Sequence, residues 1–144
     1  MGSDDIVEVL AARFERHANE EGKVLDAYRA LSEKLADDAL GNLVSHILTE
    51  EELHHLLLRT MAKWLRERPY LAPAREATPE RAELLRLTRQ LRAHEKEAID
   101  GCRELEARVP EEGGAVIRAL LEAMALDSEK HHHLLGAVEA MLEG

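Results

Sequence analysis

The feature that most restricts this chain is an internal duplication. Residues 20–31, EEGKVLDAYRAL, lie over residues 94–105, HEKEAIDGCREL, which sets Glu21 on Glu95, Leu25 on Ile99 and Arg29 on Arg103. Residues 48–57, LTEEELHHLL, lie over residues 126–135, LDSEKHHHLL, which sets Glu51 on Glu129 and His54 on His132. The offset between the halves grows by four residues from the first block to the second, and PEEGG at 110–114 takes up the insertion. A chain written this way is restricted to folds made of two equivalent halves.

Each half reads as two helices. Apolar residues recur three and four apart, the signature of a one-sided helix. The first helix runs from about Ser3 to Leu35 with Val7, Leu10, Phe14, Val24, Leu25, Tyr28, Leu31 and Leu35 in its stripe. Ser3 is the expected N-cap, ahead of Asp4 and Asp5 at the positive helix end. The second starts near Asp38 and ends before Pro69, with Leu40, Leu43, Val44, Ile47, Leu58, Met61 and Leu65. Prolines at 69, 73 and 79 break the pattern, and Thr78-Pro79-Glu80 opens the third helix. Its stripe is Leu84, Leu87, Leu91, Ala98, Cys102, Leu105 and Val109; the fourth carries Ile117, Leu120, Leu121, Met124, Leu135, Val138 and Leu142. The expectation is one domain over 1–144, with hairpins at 3–67 and 79–143 and a linker at 68–79.

Composition removes several function classes. The formal charge of -10 argues against a nucleic-acid groove and against anionic membranes. No apolar run approaches the ~20 residues of a membrane span, and no signal-peptide pattern opens the chain. The single cysteine, Cys102, has no intramolecular partner, so a reducing, cytoplasmic setting is expected.

Against this background three acids and a histidine are out of place. Glu21 falls in the apolar stripe of the first helix and Glu95 in that of the third, while Glu51 and His54 continue the line Val44, Ile47, Leu58, Met61. An unpaired carboxylate among leucines costs several kcal/mol of desolvation, so it must be protonated, paired or bound to a cation. A Glu and a His three apart on one helix face offer an oxygen and a nitrogen to one metal pair. Any one of these glutamates alone is better read as a solvated helix face; the coincidence across the helices and the repeat carries the metal reading. At ~1.5 Å per residue, each hairpin also brings its own acids to a similar height.

The order Glu21, Glu51-Glu52-Leu53-His54, Glu95, Glu129-Lys130-His131-His132 resembles the ferritin-like superfamily, with rubrerythrins and bacterioferritins as the nearest parallels. The resemblance spans nearly the whole chain. It implies an all-α, antiparallel four-helix bundle of two homologous hairpins with a long crossover between the second and third helices. It also implies two Fe ions per chain, with Mn as a competitor. Glu51 and Glu129 would then bridge the metals, with Glu21 and His54, and Glu95 and His132, as terminal ligands. The implied chemistry is that of a ferroxidase or peroxidase using O₂ or H₂O₂, the peroxidase needing an external electron donor. The chain departs from full-length rubrerythrins in lacking Cys-x-x-Cys pairs and in carrying Ala98 where many have a further Glu. It departs from bacterioferritins in having Glu52 where a haem-binding Met is wanted and no fifth helix, so neither a haem nor a cage is expected. Residues 68–79, reaching ~40 Å when extended, just span the crossover; a simple up-down bundle also satisfies the sequence, and the resemblance favours the crossover.

On the fourth helix the motif and the stripe disagree. At ~100° per residue the line through Leu120, Met124, Leu135 and Val138 passes Asp127 and His131, with Glu129 nearly opposite. Either a π-bulge turns the helix or Asp127, Ser128 and His131 face the site.

Other readings remain beside this one. Metal sequestration without turnover uses the same ligands. A hemerythrin-like site through His46-x-x-x-Glu50, His17 and His94 needs histidines upstream on the fourth helix, where none exist. Leu53, Leu56, Leu57 and Trp64 form a second stripe pointing away from the core line, which suggests a homodimer through that face, with or without metal. His17 reads as a hydrogen-bonded neighbour of Glu21, and Tyr28 and Cys102 as core packing.

Overall fold

A computed structural model describes residues 2–67 and 79–144. The expected linker, and with it Thr78 as a cap and the path of the crossover, lies outside the described residues. The chain divides into two compact units, Met1–Ala72 and Pro73–Gly144. The first contains α1 (Ser3–Lys34) and α2 (Leu40–Glu67), the second α3 (Pro79–Arg108) and α4 (Ala115–Glu143). Each unit is a helical hairpin, and the described residues contain no strand. None of these helices is long and apolar enough to cross a membrane.

The helix ends follow from local chemistry. At the start of α1, Gly2 and not the expected Ser3 takes the capping position. Its carbonyl accepts the Asp5 and Ile6 amides at 3.1 and 3.2 Å, and the Asp5 carboxylate accepts the Gly2 N–H at 3.2 Å. Asp38 caps α2, its carboxylate accepting the Leu40 amide at 2.8 Å, as a short acidic side chain at a helix start should. In the first turn Gly41 lies against the end of α1, where a Cβ would stand 2.3 Å from the Leu35 carbonyl oxygen. In the second turn Gly113 takes φ of 77°, and the Arg118 guanidinium donates to the Pro110 and Glu111 carbonyls at 2.6 and 3.2 Å.

Within each hairpin the helices meet along a seam of period seven. On α1 it buries Ala11, Ala18 and Leu25, with Val7, Phe14, Glu21, Tyr28 and Leu35 partly covered beside them. On α2 Gly41 and Ala62 are buried, and Val44, Leu48, Glu51, His55, Leu58 and Leu65 continue the line. The second hairpin repeats the pattern through Thr88 on α3 and Ala125 on α4. A repeat of 3.5 residues per turn keeps one narrow stripe facing one partner helix. Alanine and glycine on that stripe let the backbones come close. Ion pairs flank it: Arg66 near the end of α2 holds Glu8 at 2.8 Å and also Glu15, and Arg89 on α3 holds Glu139 at 2.9 Å and Glu143 at 2.7 Å.

This seam is narrower than the stripe read from the sequence. Leu10, Val24, Leu31, Leu40, Ile47, Leu87, Leu91, Leu105, Ile117, Met124 and Val138, all expected in the core, are exposed. No large side chain among the described residues is fully buried. The reason is geometric: residues spaced three and four apart cover an arc of more than ~100°, whereas one partner helix covers only the period-seven line.

Two glycines give a direct check. Gly41→Ala should lower stability by about 1–3 kcal/mol, because the new methyl group must push the Leu35 carbonyl away. Gly101→Ala, with open space around it in mid-α3, should raise stability by about 0.5–1 kcal/mol. Urea unfolding followed by helical circular dichroism reads both.

Candidate metal site

In the first hairpin three of the expected ligands come together. Glu21 on α1 and Glu51 on α2 occupy partly covered seam positions, near enough for side-chain hydrogen bonding with Glu21 to be the largest influence on the Glu51 carboxyl. Such bonding requires one proton between two acids. That influence, with burial and the nearby Glu21 charge adding to it, raises the Glu51 pKa above its ordinary value of 4.5. His54 lies one turn further along α2, with Nδ1 3.8 Å from Glu51 Oε1 and Nε2 3.9 Å from Glu50 Oε2. These are approach distances wider than hydrogen bonds, and the imidazole is half exposed. His55 is partly covered in the seam beside Gly22, and among the described residues its buried Nδ1 has no hydrogen-bond partner.

The second hairpin arranges its residues differently. Glu95 on α3 faces His131 on α4, with Oε1 3.6 Å from Nδ1. Glu129 is half exposed and turned to Arg103, whose Nη2 stands 3.5 Å from Oε1; the same guanidinium donates to Glu122 at 3.0 Å and approaches Glu106 at 3.4 Å. His132 lies in a groove with Arg89, Arg92, Ala93, Lys96 and Glu139. Asp127, one turn before His131 on α4, is partly buried and stands 3.8 Å from Lys130.

The seams explain this register. Glu51, His55, Leu58 and Leu65 on α2 hold the same seam positions as Ser128, His132, Leu135 and Leu142 on α4. Structural equivalence therefore pairs His54 with His131 and Glu50 with Asp127, one residue away from the overlay that sets His54 on His132. Serine at 128 leaves the second hairpin without the seam carboxylate that Glu51 supplies in the first. The line through Leu120, Met124, Leu135 and Val138 passes His131, which does meet Glu95, although Met124 and Val138 are themselves exposed. His17 and His94 are exposed on α1 and α3.

Chemically, the first hairpin offers two facing carboxylates and an imidazole, and the second a carboxylate and an imidazole from opposite helices. Oxygen-rich sets with one nitrogen suit divalent iron or manganese better than thiophilic metals. Comparisons with family models, with curated proteins and with solved structures find no match to the chain.

The carboxyl pair makes the metal-free protein pH-dependent with a definite sign. Because the folded state raises the Glu51 pKa, its contribution to stability is fully present below the ordinary carboxylate value and is lost as pH rises through the raised one. Glu51→Gln, which keeps a donor for Glu21 at every pH, should flatten that dependence. Thermal unfolding of chelator-treated protein across mildly acidic to neutral pH would show it as converging midpoints for the variant.

Proposed function

We propose that this chain is a non-haem di-iron protein that binds two metal ions and reacts with O₂ or H₂O₂ in a ferroxidase- or peroxidase-type reaction. The observation that carries the reading is the pair of neighbouring carboxyls, Glu21 and Glu51, set in a helix seam with His54 beside them. Leucine or alanine at these places would pack without a desolvation cost, so two acids there call for a cation or a proton. The ferritin-like bundle with its long crossover, implied by the ligand order, is the arrangement in which this proposal sets the two hairpins, and the cytoplasm is its setting.

In this reading Glu21, Glu51 and His54 hold metal in the first hairpin. Glu95 and His131 do so in the second, with Asp127 on the same α4 face. Glu51 gives up its proton when the pair takes a cation, so uptake is coupled to proton release and weakens at low pH. His54 and His131 supply the neutral nitrogens. Bound iron would supply open positions for the oxidant and changes of oxidation state. Peroxidase turnover draws on an external electron donor, whereas ferroxidase turnover uses Fe(II) itself. Sequestration without turnover rests on the same residues and is separated from it by rate.

A second reading has its own observation. Leu53, Leu56, Leu57 and Trp64 are all exposed on α2, and a homodimer through that face, compatible with metal binding or independent of it, would cover them.

The test is an anaerobic Fe(II) titration of metal-free protein followed by a pulse of O₂ or H₂O₂. Two irons per chain, a rapid oxidation signal and loss of at least one iron in Glu51→Ala are expected. On α4, His131→Ala should weaken binding about tenfold or more, and His132→Ala should leave it near wild type. The reverse order would assign the ligand register of the sequence motif, Glu129 and His132, instead. Absence of Fe(II) binding would leave the dimer reading, for which sedimentation of Trp64→Glu against wild type is the measurement.

A further inference from the structure

The α3–α4 hairpin carries a second cluster of different chemistry. Arg89, Arg92 and Lys96 stand three and four apart on one face of α3, and His132 and Glu139, seven apart, face them from α4. Together with Ala93 they line an open groove of about 430 Å³. A chain of net charge -10 thus places three fixed cations and an imidazole around a single lining carboxylate.

That carboxylate does not satisfy the cluster. Glu139 gives one oxygen to each arginine, Oε1 to Arg89 Nε at 2.9 Å and Oε2 to Arg92 Nη1 at 3.2 Å, so it sets the two guanidinium groups side by side. Arg89 is further neutralised by Glu143. Among the described residues Arg92 has no other acceptor, and its buried Nε has no hydrogen-bond partner. Its guanidinium is seated against Gly136, where a Cβ would come within 3.1 Å of Nη2. Lys96 makes no ion pair among the described residues. Like charges one helical turn apart repel by a few tenths of a kcal/mol, and nothing in the groove offsets Lys96.

We propose that the groove between α3 and α4 is a binding site for a small phosphate-class oxyanion, held by Arg92 and Lys96 with His132 as a further N–H donor. A tetrahedral dianion matches a fork of guanidinium donors and the point charge of an ammonium. An imidazole has an N–H to give whether neutral or protonated. Arg89 and Glu139 act as positioning residues that fix the Arg92 plane. The site does not rest on the di-iron reading, because neither Arg92 nor Lys96 is a metal donor.

The experiment is calorimetric titration of full-length, chelator-treated protein with inorganic phosphate at low ionic strength, with the Gly136 amide shift in NMR as a local reporter. One saturable phosphate per chain is expected, with a Kd below about 1 mM. Lys96→Gln and Arg92→Gln should each weaken it about tenfold, while Lys63→Gln on α2 should leave it unchanged. Circular dichroism checks that Arg92→Gln still folds; if it does not, Lys96→Gln, which breaks no ion pair, decides the matter. A phosphomonoester such as glycerol phosphate, run in parallel, tells free phosphate from an organic phosphate by which binds more tightly. No saturation up to about 10 mM of either ligand, or binding that survives Lys96→Gln unchanged, would overturn the proposal.

Discussion

Everything described depends on the close approach of two helices along a line of small residues. Ala11, Ala18, Gly41 and Ala62 bring α1 and α2 together, and Ala125 does the same for α4 against α3. Because the contacting side chains are short, the neighbouring positions of the same seam are also drawn into contact. Glu21 and Glu51 occupy two such positions. The carboxyl pair is therefore a consequence of backbone spacing: a wider, leucine-filled seam would hold the acids apart, and no proton or cation would need to be shared. Stability and site chemistry are thus set by one interface, and charges at Glu51 act on both.

The same economy leaves much apolar surface outside each seam. A hairpin has one partner for each helix, and a period-seven contact covers a single stripe. Residues such as Leu10, Val24 and Ile47 lie beyond that stripe and remain exposed, together with Leu53, Leu56, Leu57 and Trp64. Apolar surface of this extent is the usual mark of a further packing partner. Charge follows another logic. Arg66 with Glu8 and Glu15, and Arg89 with Glu139 and Glu143, tie the helix ends together across the seams at exposed sites, where each pair adds little by itself. In the α3–α4 groove Glu139 is shared between Arg89 and Arg92, and Lys96 stands beside them with no ion pair among the described residues.

Much was legible in the residues. The repeat and the three-four spacing of leucines give two hairpins with boundaries within a residue or two of those observed, because helix periodicity and capping are local properties. Glu21, Glu51 and His54 were legible for the same reason: each interrupts an apolar line at a place where a hydrocarbon belongs. The α4 residues were less so. His131, His132 and His133 are consecutive, and an overlay by residue identity sets His54 on His132, whereas the seam equates His54 with His131. Identity rewards matching letters; packing rewards matching phase, and one residue of slip turns a helix by ~100°. Glu129 is the residue most affected, since that rotation carries it from Glu95 to Arg103.

The sequence alone determined that the chain is all-helical, that it is duplicated, and that acids and histidines stand in its apolar stripes, since all three are written in local spacing. Only the tertiary structure decided which arc of each stripe is buried, that Glu21 and Glu51 are neighbours, that Glu95 meets His131, and that Arg92 and Lys96 gather with His132. Those outcomes depend on the distance and rotation between two helices, and small side chains many residues apart fix these jointly.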